Sequence, residues 1–194
     1  MARLVLASAS PRRAELLAAA GFSFDVEPTE IDESPQPGES PDAYVVRLAI
    51  AKARAAAERL RGGEPAGELV VLGADTTVLV DGVVLGKPAD DREAAAMLRR
   101  LSGRVHDVLT GIALAHDGVV RTACERTRVR MARLAEEEIA WYVATGEPRD
   151  KAGAYAVQGR ASRFIEAIEG SYTNVVGLPV ATVYRLLREA GVSL

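Results

Sequence analysis

The chain has 194 residues, 48% of them hydrophobic, which is enough for one well-cored folding unit. Its formal net charge of -3 argues against a surface that coats nucleic acid, because such surfaces need an excess of basic residues. It has no membrane-spanning apolar run and no secretory signal pattern, and a single cysteine cannot form an internal disulfide. We therefore expect a cytosolic protein with one domain, residues 1–194, whose partner is a small molecule rather than nucleic acid or membrane.

The first elements are a strand, a helix and a second strand. Residues 3–8 form a short apolar run typical of a buried strand. Ser10 is placed to cap a helix that begins at Pro11 and closes at Gly21. Residues 22–27 alternate between apolar and polar types, which predicts the second strand.

An acidic loop, a helix and a hairpin follow. The stretch TEIDESPQPGESPD (29–42) is polar and proline-rich, as in loops that cover sites. Apolar residues at spacings of three and four predict a helix over 42–61, and GGEPAG (62–67) would end it. Residues 69–88 contain two apolar runs around an Asp-Gly pair, which predicts a β-hairpin.

The remaining elements predict a mixed α/β fold. A capped helix is expected over 90–101, a second hairpin over 105–131 and a helix over 135–145. Residues 150–179 are glycine-rich and predicted to be irregular, and a last helix covers 179–190. Because hairpins alternate with helices, the sheet should be mixed rather than purely parallel.

Two adjacent arginines, Arg12 and Arg13, lie in the first turn of the first predicted helix. Cations oppose the helix dipole there, so they need a compensating anion. Free backbone N–H groups beside two guanidinium groups suit a phosphate. The alternative is that both arginines are solvated residues of the first turn.

Asp75 stands inside an apolar stretch, residues 69–80. A buried carboxylate is costly unless it is paired, hydrogen-bonded or bound to a metal. One interpretation is a carboxylate that binds a divalent cation or accepts a proton from water, with Thr76 beside it. The other is a structural aspartate satisfied by loop amides.

Other charged residues can join this carboxylate. Lys87 follows the return strand of the first hairpin, which should bring it back near Asp75, but Pro88 after the lysine disfavours a P-loop. Lys52 lies on the helix after the acidic loop and can reach the same phosphates, although alone it reads as a surface lysine. Three acidic loop residues offer oxygen ligands for magnesium, with a solvated loop as the alternative: Glu30, Asp32 and Glu33.

The glycine-rich segment 150–179 has features of a base-recognising surface. Gln158 offers a paired donor and acceptor, and Tyr155 lies three residues before it. The alternative is a plain glycine-rich connection. Patterns of serine hydrolases, zinc proteases and dinucleotide-binding proteins are absent from the sequence.

Seven motifs in order along nearly the whole chain resemble the Maf family. They are ASASPRR, YVVRLAIAKA, LGADTTV, LGKPAD, LSGRVHDVLT, DKAGAYAVQG and GSYTNVVGLP. The resemblance implies the fold of inosine triphosphate pyrophosphatases, an elongated mixed sheet flanked by helices with a cleft between two lobes. It also implies a nucleoside triphosphate pyrophosphatase that uses a divalent metal, Mg or Mn, and releases pyrophosphate and a nucleoside monophosphate.

The AGAYAVQG form is similar to the branch of that family that acts on dTTP and UTP. By the same resemblance, Asp75 is the proton acceptor that activates water. The metal ligands would be Asp75 and Glu33. The positions that set substrate preference would be Arg12, Thr76 and Gln158. The phosphate-binding residues would be Ser8, Arg13, Lys52 and Lys87.

Other functions stay open at this point. The substrate can be a modified pyrimidine nucleotide, or 7-methyl-GTP as in another branch of the family. A second alternative is a nucleotide-binding regulator of septum formation that needs no turnover. The long hairpin strands also allow a homodimer.

Overall fold

A computed structural model describes residues 2–60 and 69–192 of the chain. Within these residues the strands form one mixed, seven-stranded sheet, as predicted. The strands are β1 (Arg3–Ala7), β2 (Asp25–Val26), β3 (Leu69–Val80), β4 (Val83–Leu85), β5 (Val105–His116), β6 (Val119–Met131) and β7 (Ile165–Glu169). Their order is β2-β1-β3-β5-β6-β7, with β4 paired to β3. β1 pairs in parallel with β2 and β3, whereas β3/β4 and β6/β7 are antiparallel.

The helices follow the predicted order, with one addition near the C-terminus. They are α1 (Pro11–Ala19), α2 (Pro41–Leu60), α3 (Asp91–Leu101), α4 (Glu136–Ala144), α5 (Tyr172–Val176) and α6 (Val180–Glu189). Three short 3₁₀ segments lie at Glu147–Asp150, Ala152–Ala154 and Arg160–Phe164. In the described ranges, no helix combines the length and the apolar character that crossing a bilayer requires.

Both predicted hairpins are confirmed, because each turns at its Asp-Gly pair. Asp81 and Gly82 have φ angles of 48° and 75°, and Asp117 and Gly118 have φ angles of 52° and 73°. Positive φ at both central residues is the geometry of the tight turn that matches strand twist. Glycine adopts it without steric cost and aspartate tolerates it, so the local sequence sets the register of both hairpins.

The prediction that residues 150–179 are irregular is wrong for two stretches within the segment. This segment contains β7, which pairs with β6 so that Arg128 faces Glu169, and the short helix α5. The sequence IEAIE spans only five residues, and all five are half-buried or exposed. Its hydrophobic signal is therefore weak, and the strand is defined by its partner about 40 residues earlier.

One other boundary differs from the sequence predictions, and a second cannot be compared. The second strand covers only Asp25–Val26, because both residues are exposed at the edge of the sheet and pair on one side with β1. The predicted end of the second helix at GGEPAG, together with Arg61, lies outside the described residues.

The chain divides into two compact units. Unit 1 comprises Met1–Asp75, Thr110–Glu125 and Gly177–Leu194, and unit 2 comprises Thr76–Leu109 and Arg126–Val176. The expectation of a single domain over residues 1–194 stays a prediction.

Unit 1 has a hydrophobic cluster on each face of its strands. Even-numbered residues of β1, β3 and β5 pack with residues of α1 and α6, including Leu17, Val183 and Leu186. Odd-numbered residues of the same strands pack with the alanines of α2: Ala49, Ala53 and Ala56. The alternation follows from the two-residue period of a strand, and it places Asp75 on the α2 face.

Two glycines let the backbone of α2 lie directly on the sheet. A Cβ at Gly73 would collide with the carbonyl oxygen of Ala49, and one at Gly111 would collide with the backbone of Val45. Neither glycine has a positive φ angle, so the close approach of the helix is the reason for glycine here. The small alanines of α2 allow the same approach from the helix side.

We expect Gly73→Ala to lower the free energy of unfolding by about 1–3 kcal/mol, because the added methyl group overpacks this contact. Urea denaturation followed by circular dichroism measures the change. Gly86→Ala is the matched control, since the space around that position is open. Equal stability of the two variants would contradict the close packing of α2.

Unit 2 is built around α3 and α4, which contact each other. The Asp90 side chain caps α3 by accepting a hydrogen bond from the Glu93 N–H at 2.7 Å. Tyr142 of α4 is fully buried and packs edge-to-face on Phe164, with ring centroids 6.0 Å apart. This packing anchors the segment 147–164, which follows α4.

Candidate active site

An ion-pair cluster in unit 1 links the buried carboxylate predicted to be catalytic, Asp75, to the exposed carboxylate predicted to bind metal, Glu33. The Lys52 ammonium lies 2.7 Å from Asp75 Oδ1 and 2.7 Å from Glu33 Oε1. Lys52 and Asp75 are 8% and 9% exposed, so this lysine is not a surface residue. The pairing offsets part of the free energy that burial of the two charges costs.

The position of Lys52 follows from the packing of α2. Lys52 lies on the same face of the helix as the alanines that contact the sheet, next to Ala53 in sequence. Asp75 lies two residues after Gly73 on β3 and therefore faces the same side. Because α2 approaches the sheet closely at Gly73, the Lys52 ammonium and the Asp75 carboxylate come within hydrogen-bond distance.

Glu33 reaches this pair because α2 also holds the acidic loop. The Tyr44 hydroxyl donates to the backbone carbonyl of Glu33 at 2.9 Å. Arg47 donates from Nε and Nη2 to the Glu39 carboxylate, at 2.6 and 2.8 Å, and from Nη2 to the carbonyl of Ser34 at 3.0 Å. The acidic loop is thus fixed to α2 at Glu33, Ser34 and Glu39.

Sequence reasoning missed Tyr44 and Arg47. Both lie within the YVVRLAIAKA motif, and their three-residue spacing places them on one side of α2. That spacing was the signal from which their shared contact with the loop could have been predicted. Burial raises the pKa of Tyr44, and the negative charges of Asp75 and Glu33 raise it further. The Tyr44 phenol therefore lies within the electrostatic influence of both carboxylates.

The arginine pair is divided between two environments. Arg13 is buried, with Nε donating to the carbonyl of Gly177 at 2.8 Å and Nη1 donating to Ser8 Oγ at 3.0 Å. The alternative that both arginines are solvated is thus wrong for Arg13, whereas Arg12 is half-buried. Desolvation lowers the pKa of the Arg13 guanidinium, and the negative charge of Asp75 opposes this shift.

The start of α1 differs in one detail from the prediction. Ser10 occupies the N-cap position and Pro11 the first helical position, as expected, but the Ser10 side chain makes no capping hydrogen bond. Instead the Ser10 N–H donates to Ser8 Oγ at 3.2 Å. Ser8 therefore connects the backbone at the helix start with the Arg13 side chain.

The other three predicted residues lie in unit 2. Thr76 follows Asp75 on β3 and is half-buried. Lys87 is exposed in the segment after β4. Gln158 is exposed between two 3₁₀ segments, Ala152–Ala154 and Arg160–Phe164. The expected proximity of Lys87 to Asp75 stays a prediction.

Two carboxylates that share one cation are suitable oxygen ligands for a divalent metal. Asp75 and Glu33 already converge on a single positive charge, the Lys52 ammonium. Among residues 2–60 and 69–192, no group of three or more His, Cys, Asp or Glu side chains is arranged to hold a metal. Asp75 and Glu33 would be the residues that hold a magnesium-like ion, since carboxylate oxygens are ligands that Mg²⁺ prefers, and this role stays a prediction.

One solved structure aligns with part of the chain. The Ham1 protein of Staphylococcus aureus aligns with a TM-score of 0.46 and 16% sequence identity, covering 67% of this chain and 72% of that one.

Curated relatives match over almost the full length. A dTTP/UTP pyrophosphatase of Methylobacillus flagellatus is 52% identical, covering 100% of this chain and 96% of the relative. Proteins of the same name from Koribacter versatilis and Symbiobacterium thermophilum are 52% and 53% identical, covering 97% and 98% of this chain and 95% of each relative. A model of the family described as Maf-like protein matches residues 3–190, and the chain therefore belongs to the Maf-like protein family.

Proposed function

We propose that this chain is a nucleoside triphosphate pyrophosphatase that hydrolyses dTTP and UTP to the nucleoside monophosphate and pyrophosphate. The relatives named for this activity are 52–53% identical over nearly the whole chain. The observation that carries the proposal is the buried Asp75 carboxylate held by Lys52 next to Glu33. A structural ion pair alone would not need a second carboxylate on the same ammonium.

The cations of the site neutralise the triphosphate. Arg13 is fixed by Ser8 and Gly177, so its guanidinium needs little ordering when an anion binds. Lys52 supplies a compact charge beside Asp75. Lys87 is assigned to the same role because LGKPAD matches the family motif.

Asp75 is the proton acceptor of the reaction. Its carboxylate orients a water molecule and accepts a proton from it as the water attacks a phosphorus atom. Lys52 holds the carboxylate in place, because its ammonium lies 2.7 Å from Asp75 Oδ1. A divalent ion bound by Asp75 and Glu33 would supply positive charge to the phosphate oxygens.

Arg12, Thr76 and Gln158 are the positions proposed to set base preference. We expect Gln158→Glu to change the relative kcat/KM values for dTTP, UTP, CTP and GTP by about tenfold, because an amide donor is replaced by an acceptor. Stability should hardly change, since the side chain is exposed. A substrate panel with purified protein measures the ratios, and unchanged ratios would count against a role for Gln158.

Incubation with dTTP, UTP, CTP and 7-methyl-GTP, with and without Mg²⁺ or Mn²⁺, tests the proposed substrate and cofactor. Ion-exchange chromatography of the products should show metal-dependent loss of dTTP and UTP ahead of the other nucleotides. Preference for 7-methyl-GTP would assign the chain to the other branch of the family, which acts on that nucleotide. Binding of every triphosphate without turnover would refute the enzyme and favour a nucleotide-binding regulator.

We place the enzyme in the cytosol. Cys124 is the single cysteine of the chain, so it cannot form an internal disulfide, and this fits a reducing compartment.

A further inference from the structure

The turn that carries Gln158 is held from beneath by two side chains outside the predicted site. We propose that Tyr142 and Glu147 are positioning residues for base selectivity, because together they fix the turn that presents Gln158. The inference rests on the proposed function, in which the Gln158 amide contacts the base. All of these residues belong to unit 2.

Tyr142 holds the turn on its N-terminal side. Its hydroxyl accepts a hydrogen bond from the Ala156 N–H at 3.1 Å and donates to Glu147 Oε1 at 2.8 Å. The ring is fully buried against Phe164, so the hydroxyl has a fixed position. Burial and the bond to Glu147 raise the pKa of the phenol, which keeps the hydroxyl protonated and able to donate.

Glu147 holds the turn on its C-terminal side. Its Oε2 accepts a hydrogen bond from the Arg160 N–H at 3.1 Å, and its Oε1 accepts a longer one from the Ala161 N–H at 3.5 Å. Ala156 and Arg160 lie two residues before and two residues after Gln158. The backbone on both sides of Gln158 is therefore bonded to a pair of side chains that are bonded to each other.

Gly159 makes room for this carboxylate. A Cβ at position 159 would collide with the Glu147 carboxylate, although the φ angle of Gly159 is −101° and requires no glycine. The turn also closes on itself, since the Gly159 N–H donates to the Ala156 carbonyl at 3.0 Å. Glycine at this position thus serves the close contact between the turn and Glu147.

The inner side of the turn is fixed as well, which leaves Gln158 as the exposed side chain. Tyr155 and Val157 are 6% and 8% exposed, and the Tyr155 hydroxyl lies 2.8 Å from His106 Nε2. Amide recognition of a base edge depends on donor and acceptor positions within about 0.5 Å. Residues that fix the backbone of Gln158 therefore control how well it distinguishes bases.

The test compares Tyr142→Phe and Glu147→Gln with the wild type. The first variant removes the hydroxyl and keeps the ring, and the second keeps the shape but replaces one acceptor oxygen with a donor. We expect each to lower the ratio of kcat/KM for dTTP over CTP by about tenfold, mainly through KM for dTTP, because the turn loses its fixed geometry. The Ala156 and Arg160 amides should also exchange with deuterium faster than in the wild type.

Val143→Ala is the matched control on the same helix. Val143 is buried next to Tyr142 in sequence, and its apolar side chain cannot hydrogen-bond to the turn. This variant should lower the melting temperature and leave the dTTP over CTP ratio unchanged. A purely structural role for Tyr142 and Glu147 predicts that all three variants behave alike.

The two proposals fail in different ways. If the wild type hydrolyses no triphosphate, the proposed function fails, and the dissociation constants of non-hydrolysable dTTP and CTP analogues then give the ratio for each variant. If the ratio in Tyr142→Phe equals that of the wild type while its Ala156 amide exchanges faster, the positioning role is overturned. Should Glu147→Gln not fold, Tyr142→Phe decides alone.

Discussion

Asp75→Asn should lower kcat for dTTP by about a hundred- to ten-thousandfold, the usual loss when a general base is removed. Asparagine has the shape of aspartate but accepts no proton at neutral pH. Its side-chain oxygen can still accept the hydrogen bond from Lys52, and Lys52 keeps Glu33 as a charged partner at 2.7 Å. The fold should therefore survive, and the measurement is single-turnover hydrolysis at saturating metal.

Asp25→Asn is the matched control for this variant. Asp25 is also a strand carboxylate of unit 1 with a cationic partner, Arg3 at 2.7 Å, but both side chains are exposed. It should retain wild-type kcat and nearly wild-type stability, as is common for exposed ion pairs. An Asp75→Asn enzyme within about fivefold of the wild-type rate would remove Asp75 from the role of base.

Lys52→Met should damage stability and catalysis together. Without the ammonium, Asp75 is a buried carboxylate that has lost its cation, which typically costs about 3 kcal/mol or more in the free energy of unfolding. Glu33 is half-exposed and loses less, because solvent reaches it. We also expect a raised KM for dTTP, since one positive charge is lost and two carboxylates repel the triphosphate.

Two further variants complete this test. One separates charge from shape at position 52, and the other is a surface control on the same helix. Lys52→Arg keeps the positive charge but replaces a compact ammonium with a planar fork, so it should recover part of the stability and little of the turnover. Arg59→Met removes a surface ion pair from the same helix, where Arg59 and Glu27 lie 3.4 Å apart, and should change stability by less than about 1 kcal/mol. Urea denaturation and steady-state kinetics measure both effects. A Lys52→Met protein as stable as the wild type would contradict the buried pair.

Features with strong local signals could be predicted from the sequence. The Asp-Gly pairs set both hairpins, because few residues other than glycine, asparagine and aspartate adopt positive φ angles there. Proline at the first helical position marked the start of α1. Asp75 was identifiable because a carboxylate within an apolar strand needs a partner, and Lys52 is that partner.

Features that depend on distant contacts could not be predicted. β7 is a short strand that exists through its pairing with β6. The contacts of Tyr44 and Arg47 with the acidic loop depend on the path of that loop across α2, which periodicity does not specify. The same holds for Glu147, whose acidic side chain gives no sign in the sequence that it accepts backbone hydrogen bonds from a later turn.

Phosphorus NMR of dTTP incubated with the protein and Mg²⁺ tests the central claim most directly, because it identifies the bond that is broken. The account predicts that dTMP and pyrophosphate appear together, depend on the metal, and are nearly absent with Asp75→Asn. Release of dTDP and inorganic phosphate, or equal product from Asp75→Asn, would contradict it.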